Sequence, residues 1–153
     1  MADDYRIRRA DSPDIGELVR IERACFSDPW SAQGFAEVLG APGALGLLAF
    51  GPDDAAVGYL LARRVLDECE ILNLAVMPEA RRRGLARGLL RRALEFLVRE
   101  GIQQVYLEVR PSNQAAQQLY SGFGFRPTGV RPNYYRSPRE DGLVLCLTIP
   151  PTA

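Results

Sequence analysis

Residues 70–99 constrain this chain more than any other stretch. An apolar run, Ile71–Met77, leads through "PEARRRG" into the strongest amphipathic pattern in the sequence. Leu85, Leu89, Ala93, Leu94, Leu97 and Val98 recur at helical spacing, so Gly84–Arg99 reads as a helix with one apolar face. Unpaired N–H groups and the positive end of the helix dipole gather at its start, a setting that binds phosphate. Gly84 lets ligand oxygens approach the backbone and Ala86 keeps the next step small. Arg82, Arg83 and Arg87 stand close enough for charge-assisted contacts. On these residues alone, a solvated basic loop before an amphipathic helix is the competing reading.

The flanking pattern supplies a sheet. Tyr5–Ala10 alternates as a strand. Ser12 and Pro13 open a helix carried by Ile15, Leu18, Val19 and Ile21, and Ser31 caps a short helix running through Leu39. Ala44–Phe50 and Ala56–Val65 read as strands joined by "GPDDA", and Glu70–Met77 is a third, more apolar strand. "QQVYLEV" alternates again, Asn113–Phe123 is a short helix closed by Gly122 and Gly124, and "GLVLCLTI" is a final strand. A further short strand fits near Phe125–Thr128. The order predicts one α/β domain over residues 1–153, a mixed β-sheet flanked by helices on both faces.

What the chain lacks narrows its chemistry. Its 153 residues include no histidine and no lysine, so all 19 basic residues are arginine. Ser-His-Asp and Cys-His catalysis, lysine Schiff bases, the Walker lysine and imidazole metal sites are excluded together. Cys25, Cys69 and Cys146 form no CxxC pair and read as small buried hydrophobes. Any general base must be a carboxylate, a tyrosine, a cysteine or a water they hold. The formal net charge of zero argues against a general nucleic-acid or membrane binder. No apolar run nears the roughly 20 residues of a membrane span. "MADDYRIRRA" lacks the apolar core of a signal peptide, so a cytoplasmic protein is expected.

Three phosphate-binding patterns compete for the arginine-glycine turn. A Walker loop needs Gly-Lys-Ser/Thr, and the chain has no lysine. A Rossmann turn sets its glycines directly after the strand, with an acidic residue about 20 positions on. Glu108 stands 24 positions after Gly84, but Pro78–Arg83 separates strand from glycine. The third pattern is Gln/Arg-x-x-Gly-x-Gly/Ala after an apolar strand, met by Arg81, Gly84 and Ala86 in "RRRGLA". It resembles the acetyl-coenzyme A turn of the GNAT acetyltransferases. "PWS" at Pro29–Ser31, "NLAVMPEARRRGLARGLL" at Asn73–Leu90, "LEVRPSNQAAQQLY" at Leu107–Tyr120, "FGF" at Phe123–Phe125 and "RPNYY" at Arg131–Tyr135 extend the likeness. Through them the whole chain is similar to the bacterial RimI-type N-acetyltransferases of ribosomal proteins.

This resemblance implies the GNAT acyl-CoA N-acyltransferase fold, acetyl-CoA as co-substrate and no metal. The implied acceptor is the alanine N-terminus of a small-subunit ribosomal protein. Its diphosphate contacts would be the amides of Arg82, Arg83, Gly84, Leu85, Ala86 and Arg87. Its pantetheine arm would run along Leu74, Ala75 and Val76, with a further contact at Asn113. Glu108 would be the proton acceptor and Tyr120 the proton donor. Read without the resemblance, Asn113 is equally a helix N-cap, Glu108 a solvated strand glutamate and Tyr120 a core aromatic.

The residues themselves bear on these roles. Glu108 alternates away from Val105, Leu107 and Val109 and cannot share the face they bury. Asn113 and Tyr120 are seven apart, close to two turns, and so share one stripe of their helix. An α-amine with a pKa near 8 is roughly 10% neutral at pH 7, whereas a lysine near 10.4 is about 0.04% neutral, so a carboxylate base suits the former. Two loops are expected to flank the groove and grip a peptide end, one through Trp30 in "SDPWS", the other through Asn133, Tyr134 and Tyr135. Trp30 fits a core anchor as well. Asp67, Glu68 and Glu70 form an acidic strand end that either favours a basic peptide or is merely solvated.

Overall fold

Alternate residues of β2 (Ala44–Phe50) and β3 (Ala56–Val65) enter opposite cores, Leu45, Leu47, Leu60 and Ala62 one, Leu48, Tyr59 and Leu61 the other. The structure, a computed structural model, describes residues 5–151; the charged start "MADD" lies outside them. Helices close both layers, as expected. α1 (Ile15–Cys25) and α2 (Ala32–Gly40) cover one face with Leu18, Ile21 and Phe35. α3 (Leu85–Arg99) covers the other with Leu85, Leu89, Leu90, Ala93 and Leu97, and α4 (Gln114–Gly122) adds Tyr120 there. Each fully buried leucine or phenylalanine contributes about 1.5–3 kcal/mol, so α3 holds its place by this stripe.

Five more strands complete the sheet: β1 (Arg6–Arg9), β4 (Glu68–Val76), β5 (Gln104–Val109), β6 (Arg126–Tyr135) and β7 (Glu140–Thr148). Their spatial order is β1-β2-β3-β4-β5-β7-β6. β4 and β5 are parallel, and the other neighbours are antiparallel. The pairing of β4 with β5 runs only from Glu68↔Gln104 to Glu70↔Tyr106. β4 nevertheless continues to Val76 against β3, and β5 continues to Val109 against β7. β4 carries a bulge where it pairs with β3: Leu61 faces Asn73 and Ala62 faces Ile71, which leaves Leu72 as the extra residue. The two central strands therefore part beyond Glu70, and their facing edges open onto a gap.

Two expectations need correction. The short strand near Phe125–Thr128 is in fact the ten-residue β6, and it carries Asn133, Tyr134 and Tyr135, which stand on this strand and not in the expected loop. Pro127, Gly129 and Pro132 disguise it in the sequence, yet β6 is the edge of the sheet, where prolines are tolerated. At the start of α1, Asp11 rather than Ser12 opens the first turn, its N–H donating to Asp14 Oδ2 at 2.8 Å. Ser31 does cap α2, its Oγ accepting from the Gly34 N–H at 3.1 Å.

Candidate active site

The turn after β4 is held from both sides. Gly84 adopts a φ of 78°, a left-handed conformation that glycine enters without a Cβ clash. Tyr5 donates its hydroxyl proton to the Gly84 carbonyl at 2.9 Å, and Arg81 donates from Nε to the Val76 carbonyl at 2.9 Å. The first α3 bond runs from Gly88 N–H to Gly84 O, so the amides just before Gly88 have no partner within the helix. Leu85 is buried and presents only its N–H to the turn, while Arg82 and Arg83 are exposed. Arg87 lies 5.9 Å over the Phe123 ring.

The gap between the central strands is a cleft of about 620 Å³. β4 lines it with Ile71, Leu72, Asn73 and Leu74, and β5 with Leu107, Glu108 and Val109. α4 and its cap contribute Asn113, Ala116 and Tyr120; the segment between α1 and α2 contributes Ser27, Asp28 and Trp30; β6 contributes Tyr134 and Tyr135. One cavity thus gathers Glu108, Tyr120, Asn113, Leu74, Trp30, Tyr134 and Tyr135. Ala75 and Val76 are buried in the strand behind it, and the Gly84 turn lies further along β4.

Glu108 faces the cleft with its side chain only 7% exposed. Arg131 Nε sits 3.1 Å from Glu108 Oε1. Burial raises the pKa of this carboxyl above the ordinary carboxylate value, the neighbouring charge of Glu70 adds to the rise, and Arg131 opposes both. Tyr120 is buried edge-on to Phe125, ring centroids 5.5 Å apart, and desolvation alone raises its pKa. It is a core aromatic whose other side lines the cleft. Asn113 is an N-cap, its Oδ1 accepting from Ala116 N–H at 3.1 Å, which leaves its amide nitrogen free to donate into the cleft. Trp30 packs 5.4 Å from Phe35 and also lines the cleft. Cys25 departs from the expected buried hydrophobe: it is half-buried on the cleft wall, its thiol donating to the Val76 carbonyl at 3.3 Å.

The family model for the acetyltransferase (GNAT) family matches residues 15–125. The chain belongs to the GNAT acetyltransferase family. This GNAT chain is 36% identical to the ribosomal protein bS18-alanine N-acetyltransferase of Salmonella typhimurium, over 89% of its own length and 92% of that protein. It is 34% identical to the Escherichia coli protein of the same name, over 94% and 97% of the two chains. The crystal structure of the Escherichia coli ribosomal-protein-S18-alanine N-acetyltransferase superposes with a TM-score of 0.91 at 31% identity, covering 97% and 96%. GNAT acetyltransferases take their acyl group from acetyl-coenzyme A. Among the described residues, no helix is long and apolar enough to cross a membrane.

This GNAT site contains residues that the sequence pattern did not single out. Glu22 on α1 is 1% exposed, and its carboxylate accepts from the Tyr59 hydroxyl, from Asn73 Nδ2 at 2.9 Å and from Trp30 N–H at 2.9 Å. It joins the cleft loop to the strand beside the bulge. Arg110, directly after β5, clamps the β6–β7 turn, with Nη1 2.7 Å from Pro138 O, Nη2 2.8 Å from Arg136 O, and its guanidinium 4.5 Å over the Tyr135 ring. Tyr5 and Arg131 complete the list, and Glu70, read in the sequence only as part of an acidic strand end, stands beside Glu108. A charge at a helical core position was the one available signal for Glu22; the others act across 23 or more residues of sequence, which no local pattern reveals.

Proposed function

We propose that this chain transfers the acetyl group of acetyl-coenzyme A to the α-amine of an N-terminal alanine, that of ribosomal protein bS18, by direct amine attack in a ternary complex. The parting of β4 and β5 carries this reading, because their free edges flank a single cleft that holds Glu108 and Tyr120. The open edge of β4 suits an extended amide chain, which can bind there as an added strand does. Beyond it, the unpartnered amides at the start of α3 suit a diphosphate, with Arg82, Arg83 and Arg87 nearby. Bound there, the coenzyme supplies an activated acyl group.

In this reading Glu108 removes a proton from the incoming ammonium, and its raised pKa makes it a better match for an amine near 8 than an ordinary carboxylate. Tyr120 gives a proton to the departing sulfur and regains one from the nitrogen as the tetrahedral adduct collapses, and the burial that raises its pKa keeps the phenol protonated across neutral pH. Trp30, Tyr134 and Tyr135 form the wall against which the acceptor's first residues rest. The names of the 34–36% identical relatives support bS18 as the acceptor, in the cytoplasm where ribosomal proteins are made.

The test offers acetyl-coenzyme A with peptides that start with alanine, serine or methionine, some carrying internal lysines, and locates the product by mass spectrometry. Acetyl on the α-nitrogen of the bS18-type alanine peptide is expected. Acetylation confined to lysine side chains or to small amines, or none by folded protein, overturns the proposal. Tyr120→Phe should lower kcat about a hundredfold with little change in either KM, measured by release of free thiol. Gly84→Val should raise the KM for acetyl-coenzyme A about tenfold, since a β-branched residue at a φ of 78° costs 1–3 kcal/mol or moves the amides.

A further inference from the structure

Glu108 has a problem that its own environment does not solve. It is nearly sealed from water, and an acceptor lying in the cleft would close what access remains. Each turnover leaves it holding a proton that must leave before the next. Glu70 stands one pleat away. It lies opposite Tyr106 in the parallel pairing, and therefore on the same face as Glu108, two residues further along β5. On that face the two side chains are diagonal neighbours, and the charge of Glu70 is felt at the Glu108 carboxyl. Unlike its neighbour, the Glu70 side chain is 33% exposed, and Arg63 on the solvent side lies 3.6 Å from it. Beyond it the strand end continues into exposed Glu68 and Asp67.

We propose that Glu70 is the outlet through which Glu108 returns the amine's proton to solvent. This rests on Glu108 being the base. The ammonium N–H bond breaks and a proton goes to the Glu108 carboxylate, leaving a neutral amine with its lone pair free for attack. The Glu108 O–H then breaks in favour of the Glu70 carboxylate, and water takes the proton from Glu70. Both carboxylates are regenerated, and no oxidant or further reactant enters. The groups facing the pair are Arg63 on β3, Tyr106 on β5, Arg131 and Tyr134 on β6, and, across the cleft, Glu22 and Cys25 on α1. Of the other carboxylates near Glu108, Glu22 is 1% exposed, whereas Glu70 meets water, so Glu70 is the relay group for the base.

Glu70→Gln keeps the shape and removes the relay. With peptide and acetyl-coenzyme A saturating, kcat should fall about tenfold while both KM values hold. The acid limb of the pH profile should move to lower pH, because Glu108 loses a neighbouring negative charge. In Glu70→Ala, whose shortened side chain opens a path to Glu108, added formate at constant ionic strength should restore turnover by carrying the proton that Glu70 no longer carries. A purely structural role for Glu70 predicts no recovery with formate. Wild-type turnover with an unmoved acid limb, or a loss that formate does not repair, overturns the inference. Failure of the underlying reading shows differently: Glu108→Gln would then keep wild-type turnover.

Discussion

Glu108→Gln is expected to lower kcat by about 10²–10⁴ while leaving the KM for acetyl-coenzyme A near its wild-type value. Glutamine fills the same volume between the cleft and Arg131, so what is lost is the capacity to accept a proton. The pH profile gives an independent check. Burial, then the charge of Glu70, raises the Glu108 pKa, so kcat/KM should fall as pH drops through a value above the roughly 4.3 of a free glutamate. The same shift has a stability consequence of the opposite kind. A carboxylate whose folded pKa is raised favours the fold fully below its unfolded value and loses that contribution as pH rises through the folded value. At neutral pH the ionised Glu108 is therefore a net cost to folding, and the glutamine variant should match or exceed the wild type in thermal midpoint. A variant both inactive and markedly destabilised would mean that Glu108 serves the fold, and a fully active one would end its assignment as base.

The α/β order, the two-faced sheet and the turn before α3 were legible because each follows from short-range pattern. Apolar runs joined by a turn mark β2 and β3, alternation marks β5, and the stripe from Leu85 to Leu97 marks α3. The convergence of Glu108, Asn113 and Tyr120 on one cleft was legible too, since they lie on adjacent elements with a short connection. Of β6 only the start was legible, because Pro127, Gly129 and Pro132 break the strand signal beyond it and only its edge position accommodates them. The gap itself was not. That β4 leaves β5 after Glu70 depends on the bulge at Leu72 and on β7 taking the far edge of β5, both decided by long-range pairing. Glu22 illustrates the same limit: its position on a helix face is readable, but its three donors come from a loop and two other strands.

Glu22→Ala is expected to destabilise the protein by about 3 kcal/mol, a large share of the 5–15 typical of a domain. Removing the carboxylate strands the Tyr59 hydroxyl, which is fully buried, and leaves a void beside Phe35 and Ile21 in the same core. Asn73 Nδ2 keeps one bond, to the Tyr59 oxygen at 2.8 Å, so the loss stays short of two full desolvation penalties. Urea unfolding followed by circular dichroism measures it, and a loss under about 1 kcal/mol would show that water or repacking satisfies the freed donors. Glu22→Gln should cost much less, as its amide oxygen can still accept from one of them. Acid treatment separates this network from the surface ion pairs. Desolvation raises the Glu22 pKa, so protonating it does not weaken the fold. Asp14, held below the usual range by Arg8, and Glu140, held there by Ser112 and Arg110, contribute stability that is lost as pH falls. Acid should therefore loosen the α1 entry and the Arg110 clamp before it touches the Glu22 core. The Glu22→Ala variant should instead open the Trp30 loop first, raising the KM for the peptide acceptor more than that for acetyl-coenzyme A.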